Sequence, residues 1–306
     1  MFEPKVTVLM SVYNGEKHLK EAIDSILTQT FTDFEFLIIN DGSTDKTGET
    51  LRSYNDPRIR IIENLQNIGL TKSLNKGLTL AKGEYIARQD ADDISLQERL
   101  ATQVNFLDNH PEIGLVGSWY IIIDRNGEEL LKCTLPVENA EVRKRIMEFN
   151  PFAHGSVMLR KKCIEEVGPY DEKFSCAQDY ELWFRILDRH QAANISAYLY
   201  KWRFNQDSIV ARRYAEQMKF ICQAKELTKK RSKGIICSDN FATKNFLYYV
   251  IEGRKNLAGL YYNCGEYLYG KGKIRKSRQF LLKSIKLNPG NFKSLKLFFR
   301  CFLKHT

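Results

Sequence analysis

Phe34-Glu-Phe-Leu-Ile-Ile-Asn-Asp-Gly-Ser-Thr-Asp45 decides the fold class. An apolar run of strand length ends in a cluster of turn residues, and an amphipathic stretch, Asp45 to Tyr54, follows. The same unit precedes it as Val6 to Val12 with Glu16 to Gln29. It recurs afterwards as Ile59 to Ile62 with Leu70 to Ala81, and as Tyr85 to Ala87 with Ser95 to Asn109. This βαβα rhythm predicts a mostly parallel sheet with helices on both faces, whose ligands sit beyond the carboxyl ends of the strands. Ser95-Leu-Gln-Glu98 has capping-box spacing and is expected to start the fourth helix.

The loops at that edge are polar: Tyr13-Asn-Gly-Glu16, Asn40 to Asp45, Asn64 to Gly69, and Arg88-Gln-Asp-Ala-Asp-Asp93. Each alone fits ordinary turn and N-cap chemistry. Four in register favour a binding edge. Beyond residue 110 the pattern is mixed: Ile113 to Val116, Trp119 to Ile123 and Ser156 to Arg160 read as strands, Arg125-Asn-Gly127 as a hairpin turn, and Glu138 to Glu148 as a helix. From about residue 212 strand signals disappear.

The chain has 306 residues, 43% of them apolar and 27% charged, which suits a globular protein and excludes a disordered or fibrous one. Ile113 to Ile123, the longest uncharged stretch, is too short to span a bilayer, and the N-terminus lacks a signal-peptide core. A cytoplasmic chain, or one held at the inner membrane surface, is expected. Seven scattered cysteines without metal-ligand spacing read as free thiols. The net charge of +10 is unevenly placed. Residues 211 to 306 hold 22 Lys and Arg against 5 Asp and Glu, a net of +17, leaving 25 against 32, or −7, in the first 210.

Asp90-Ala91-Asp92 with Asp93 sets three carboxylates in four residues directly after a predicted strand. Such density calls for water or a cation, and oxygen-only ligands favour Mg²⁺ or Mn²⁺ over zinc. A solvated loop capping the next helix is the competing reading.

Val8-Leu-Met-Ser-Val-Tyr-Asn14, Asn40-Asp-Gly-Ser-Thr-Asp45, Gly69 with Leu74-Asn75 and Gly77, Gly83 to Asp93, His154-Gly-Ser156, and Gln178-Asp179 with Trp183 occur in that order. As an ordered set over roughly residues 4 to 210, they resemble the family 2 glycosyltransferases: inverting, nucleotide-sugar-dependent enzymes of the GT-A fold. The resemblance implies that Tyr13 stacks on the nucleobase and Asp41 accepts a ring N–H of uracil or thymine. It places Glu16, Asn67, Lys72 and Arg88 around base and phosphates, Asp90 with Ala91 near the ribose, and Asp92, with Asp90, at the metal. Asp179 becomes the general base. His154, Gln178, Trp183 and Arg203 are assigned to the acceptor and diphosphate side, although Trp183 also reads as core and Asp179 as an N-cap. Gln178 stands where the family often has Glu.

The implied reaction is non-processive transfer from a UDP-sugar, or secondarily a dTDP-sugar, to a hydroxyl of a glycan or lipid-linked glycan. A catalytically silent sugar-nucleotide or partner-binding protein on the same fold is the rival. The sequence lacks Gln-x-x-Arg-Trp, which disfavours a processive synthase, and a GxGxxG after a strand, which disfavours a dinucleotide oxidoreductase.

Residues 1–210 are thus expected to form the catalytic domain and 211–306 a basic helical one. Tyr261, Cys264-Gly265, Leu268, Ser277, Leu281, Ser284 and Pro289 have the spacing of one degenerate tetratricopeptide-like repeat, near 258–291. The charge at Arg212-Arg213, Lys229 to Lys233 and Lys271 to Arg278 fits solvated helix faces or an anionic membrane surface; nucleic acid is least favoured. Phe298-Phe299 and Phe302 would add an exposed apolar foot.

Overall fold

The computed structural model describes residues 3–204, 214–232 and 246–303. Arg212, Arg213, Lys233 and Cys237, and most of the expected domain boundary, lie outside them. The chain forms two compact units, Met1–Ile121 with Cys133–Arg203, and Ile122–Lys132 with Phe204–Thr306. The single cut expected from sequence misses the return of residues 122–132 to the second unit.

The strands are β1 (Val6–Val12), β2 (Phe34–Asn40), β3 (Ile59–Glu63), β4 (Tyr85–Asp90), β5 (Ile94–Ser95), β6 (Ile113–Ile123), β7 (Glu129–Cys133), β8 (Met158–Arg160) and β9 (Gln191–Arg203). Their order is β3-β2-β1-β4-β8-β6-β9-β5, with β7 on β6. β1 to β4 are parallel, whereas β8 runs antiparallel to β4 and β6. The register Val12↔Asn40, Asn40↔Glu63 and Ser11↔Asp90 brings four strand ends to one edge.

The first unit's helices are α1 (Leu19–Leu27), α2 (Thr47–Arg52), α3 (Leu70–Leu80), α4 (Arg99–Asn109), α5 (Asn139–Arg145), α6 (Lys161–Val167) and α7 (Gln178–Arg189). Alternation along the strands sorts the core. Val6, Val8 and Met10 with Phe34, Phe36 and Ile38 pack against Leu19, Ile23 and Ile26 of α1 and Leu100, Val104 and Leu107 of α4. Leu9 faces the opposite way, toward α3, where a Cβ on Gly77 would lie 2.2 Å from its Cδ1. Each fully buried aliphatic side chain contributes about 1.5–3 kcal/mol of apolar transfer.

Four local expectations are corrected. Ser95 starts no helix: it belongs to β5, α4 begins at Arg99, and no side-chain cap bond forms. Its hydroxyl instead donates to Gln89 at 2.7 Å, a buried polar demand that outweighs capping. β4 continues through Asp90, so the first acid lies on the strand. Ile113 to Ile123 is one strand, because Gly117 passes under Asn194 and Phe152 where a larger residue would clash. The segment expected as a strand from Ser156 opens as a 3-10 turn, His154–Ser156, before β8.

The second unit contains α8 (Tyr214–Ser232), α9 (Phe246–Gly270), α10 (Ile274–Leu287) and α11 (Phe292–Leu303). Gly272, at φ +74°, turns the chain between α9 and α10. Gly265 lets those helices approach, since a Cβ there would lie 2.8 Å from Leu281 Cγ, and Ser277 and Ser284 bond the α9 carbonyls of Gly265 and Ala258. Tyr261, Cys264, Leu268, Ser277, Leu281 and Ser284 are all buried. The hairpin tip between β6 and β7 carries Asp124 and Glu128, which pair with Lys276, while Glu128 also pairs with Lys273. Phe298 is half-buried against the α10–α11 core, unlike the exposed residue expected; Phe299 and Phe302 are exposed. No helix among the described residues is long and apolar enough to cross a membrane.

Candidate functional site

Two loops at the carboxyl edge are stitched together by polar side chains. Asn14 Oδ1 accepts the Thr44 N–H at 2.8 Å, the Gly15 N–H donates to Thr47 Oγ1 at 2.8 Å, and Glu16 Oε2 accepts the Lys46 N–H at 3.1 Å. Between them the ring of Tyr13 stands 49% exposed. Gly42 adopts φ +69°, and a Cβ there would come within 2.5 Å of the Gln66 backbone, so only glycine allows the β2 and β3 loops to meet.

Asp41 is buried below this surface. Its carboxylate accepts N–H donors from Asn64, Ile68 and Gly69, each at 2.9 Å, holding the loop that leads into α3. Three bonds leave one of about four carboxylate acceptor positions open. Asn67 and Lys72 lie exposed on this loop and the first turn of α3.

The acidic loop contains three differently placed carboxylates. Arg88 is fully buried: it donates to the Leu9 and Gln89 carbonyls at 2.9 and 2.8 Å and forms a close ion pair with Asp90. Ala91 is half-buried and turns the chain toward Asp92. Asp92 keeps an open side to solvent, yet dense surroundings and then the Asp90 charge push its pKa up to about 6. Asp93 points inward, so it does not share in an open acidic patch as its sequence position suggests. It accepts the Arg203 N–H at 2.7 Å, and burial followed by the Asp92 and Asp90 charges raises its pKa well above the ordinary carboxylate value. Among the described residues no three His, Cys, Asp or Glu side chains converge as a ready-made metal cage.

Arg203 is likewise committed inward. It is buried, donates to the Asp92 carbonyl at 2.7 Å, and pairs with Glu21. This braces the acidic loop from behind.

On the other side of Arg88 lies His154. Its Nε2 accepts from the Tyr170 hydroxyl at 2.9 Å and from Arg88 Nε at 3.3 Å, which assigns the neutral ring with its proton on Nδ1. Burial, then the Arg88 charge, lowers its pKa to about 4. Asn75 of α3 clamps Tyr170 by exchanging two backbone bonds at 2.9 and 3.0 Å. Gly155 leaves space for its neighbours: a Cβ there would lie 2.0 Å from the Tyr200 hydroxyl and 2.8 Å from Asp90 Oδ2.

Asp179 occupies the first turn of α7, where the helix dipole favours a carboxylate, and its Oδ2 accepts from Asn150 at 2.8 Å. Ala177 precedes the helix at φ +56°. Gln178 is buried. Trp183 is fully buried, with its ring centroid 5.9 Å from Phe152 and 6.1 Å from His154. It supports the site as core, the second of the two readings its helix position offers.

Residues 7–168 match the profile of Glycosyl transferase family 2. The chain belongs to that family. An uncharacterized glycosyltransferase of Methanocaldococcus jannaschii is 35% identical over 82% of this chain and 88% of its own length. The amylovoran biosynthesis glycosyltransferase AmsE of Erwinia amylovora is 34% identical over 68% of this chain and 79% of its own. Among solved structures, S. aureus TarS 1-349 in complex with UDP-GlcNAc aligns at a TM-score of 0.59 and 18% identity, over 96% of this chain and 89% of that one. The mannosyltransferase PcManGT of Pyrobaculum calidifontis, with GDP-Man and Mn²⁺, aligns at 0.57 and 17%, over 100% and 82%.

In this family 2 glycosyltransferase Asn150, Tyr170 and Arg99, which carry no motif in the sequence, contact the predicted site or its supports. Arg99 is buried and, among the described residues, has no acidic partner in hydrogen-bonding contact; it donates to the Arg88 and Val157 carbonyls, Gln89, Ser95 and Gln103. Its four-residue spacing to Gln103, which puts two polar side chains on the buried face of α4, is the sequence signal for it.

Proposed function

We propose that this glycosyltransferase moves a sugar from a UDP-sugar, with dTDP-sugar as the second choice, to a hydroxyl of a free or lipid-linked glycan, inverting the anomeric centre. One observation carries the reading. Asp179, held by Asn150 at a helix N-terminus, acts by its charge on His154 and Tyr170, which are bonded to each other and through His154 to Arg88 and its partner Asp90, so a base and a donor-binding edge lie in one cluster.

Exposed Tyr13 offers a stacking face for the base, and the remaining acceptor position of Asp41 suits a pyrimidine ring N–H. Glu16 braces that wall, while exposed Asn67 and Lys72 lie on the loop and helix turn beside it. His154, neutral and accepting from Arg88, keeps the guanidinium oriented toward Asp90. Asp179 takes the proton of the acceptor hydroxyl as that oxygen bonds to the anomeric carbon and the bond to the diphosphate oxygen breaks on the opposite face.

Asp92 is solvent-facing and hard in donor character, which fits a divalent ion held by one or two carboxylates together with substrate phosphates. Mn²⁺ or Mg²⁺ at Asp92, with Asp90 adjacent, would supply charge neutralisation on the departing diphosphate. PcManGT with GDP-Man and Mn²⁺, and TarS with UDP-GlcNAc, support this class of ligand. AmsE, by its name in amylovoran biosynthesis, supports a polysaccharide product.

The test is UDP release from a donor panel. Asp179→Asn is expected to lower kcat by about 10²–10⁴-fold while UDP affinity by calorimetry stays unchanged. Full activity in that variant would remove Asp179 as the base. Retention of donor anomeric configuration in the product would remove inversion.

A further inference from the structure

We propose that the exposed face of α11 docks the protein on an anionic phospholipid bilayer. From Lys271 to Thr306 the sequence contains eleven Lys and Arg and no Asp or Glu. The structure sorts part of that charge onto one side of a helix. Ser294, Leu297 and Cys301 are buried, the latter two in a core with Ile274 and Leu281 of α10. At 3.6 residues per turn the opposite side of α11 divides lengthwise. Phe292, Phe299 and Phe302, at 80%, 64% and 50% exposure, line one half, and exposed Lys293, Lys296 and Arg300 line the other.

Three large aromatic side chains in water beside a cationic stripe match the chemistry of a bilayer interface. Rings enter the headgroup and acyl boundary while Lys and Arg meet lipid phosphates. Charge also decides against a second copy of the chain, since two such faces would repel. Nucleic acid would satisfy the cations but leave the adjacent stripe of Phe292, Phe299 and Phe302 without an apolar phase. The Arg278 guanidinium of α10, 4.8 Å from the centre of the Phe302 ring, places a further cation beside the aromatic half. Half-burial of Phe298 confines the apolar stripe to the outer face.

The surface is independent of the transfer reaction and is tested by sedimentation of the full chain with phosphatidylcholine vesicles, with and without phosphatidylglycerol, at low ionic strength. Binding is expected only to the anionic vesicles and is expected to weaken as salt rises. The pair Phe292→Ser and Phe299→Ser, both on the solvent side, is expected to lower partitioning on the order of tenfold or more. The triple Lys293→Glu, Lys296→Glu, Arg300→Glu is expected to abolish it. Circular dichroism and UDP release identify any variant that has lost its fold. No binding of the wild type to anionic vesicles overturns the proposal. So does wild-type binding by the Phe pair combined with displacement by a DNA duplex, an outcome that assigns the stripe to polyanions in general.

Discussion

Two regions of this protein use positive charge in opposite ways. At the carboxyl edge of the sheet, Arg88 and Arg99 are buried, with their donors taken up by carbonyls, amides, Asp90, His154 and Ser95. On α11, Lys293, Lys296 and Arg300 stand in solvent beside exposed rings. A buried guanidinium fixes geometry because each of its donors must find an acceptor. An exposed cation fixes nothing locally and acts through its field. The basic residues of the catalytic unit therefore organise a site, and those of the helical unit define a surface.

Substitution of one arginine from each region gives the largest contrast. Arg88→Met is expected to cost about 3–5 kcal/mol, because Asp90 and several carbonyls lose their partner together, whereas Arg300→Gln should stay within about 0.5 kcal/mol. Denaturant titration measures both, and similar losses would break the comparison. Gly42→Ala is expected to cost about 1–3 kcal/mol through the positive φ and the loop clash, with weaker UDP binding by calorimetry as the second readout.

His154 sharpens the picture through pH. Its pKa is lowered to about 4 in the folded protein and lies near 6.5 when unfolded. The stability this represents is fully present above pH 6.5 and is lost as pH falls from there toward 4. The thermal midpoint of the wild type should accordingly fall more steeply across that window than that of His154→Gln; parallel curves would show that the ring is not held neutral. The smallest effect belongs to the helical unit. Lys276→Ala removes partly exposed pairs with Asp124 and Glu128 and should cost up to about 1 kcal/mol, less at high salt.

Legibility in the sequence followed the range of the interaction. The strands β1, β2 and β3 and the helix α3 lie close to where periodicity puts them, since hydrophobic alternation is a local property. The start of α4 was misread because Ser95 satisfies Gln89 and Arg99 across the fold, and no capping pattern reports that competition. Asp179 stands out in the sequence only through its place in an ordered set of motifs. Asn150, which holds it, lies 29 residues earlier in the chain and carries no motif. Trp183 lies in the core, one of the two readings its helix position offers, and the contacts that bury Arg203 behind the acidic loop, with Glu21 and the Asp92 carbonyl, carry no motif.

The sequence by itself determined the family, the parallel sheet with its polar edge, and the division between an acidic body and a basic helical tail. Those follow from composition, period and motif order, which survive without coordinates. Tertiary structure alone decided which of Asp90, Asp92 and Asp93 faces solvent, which arginines are spent on backbone carbonyls, and which phenylalanines of α11 remain outside. Burial is set by what packs against a residue from distant parts of the chain, and neither charge nor aromaticity encodes it.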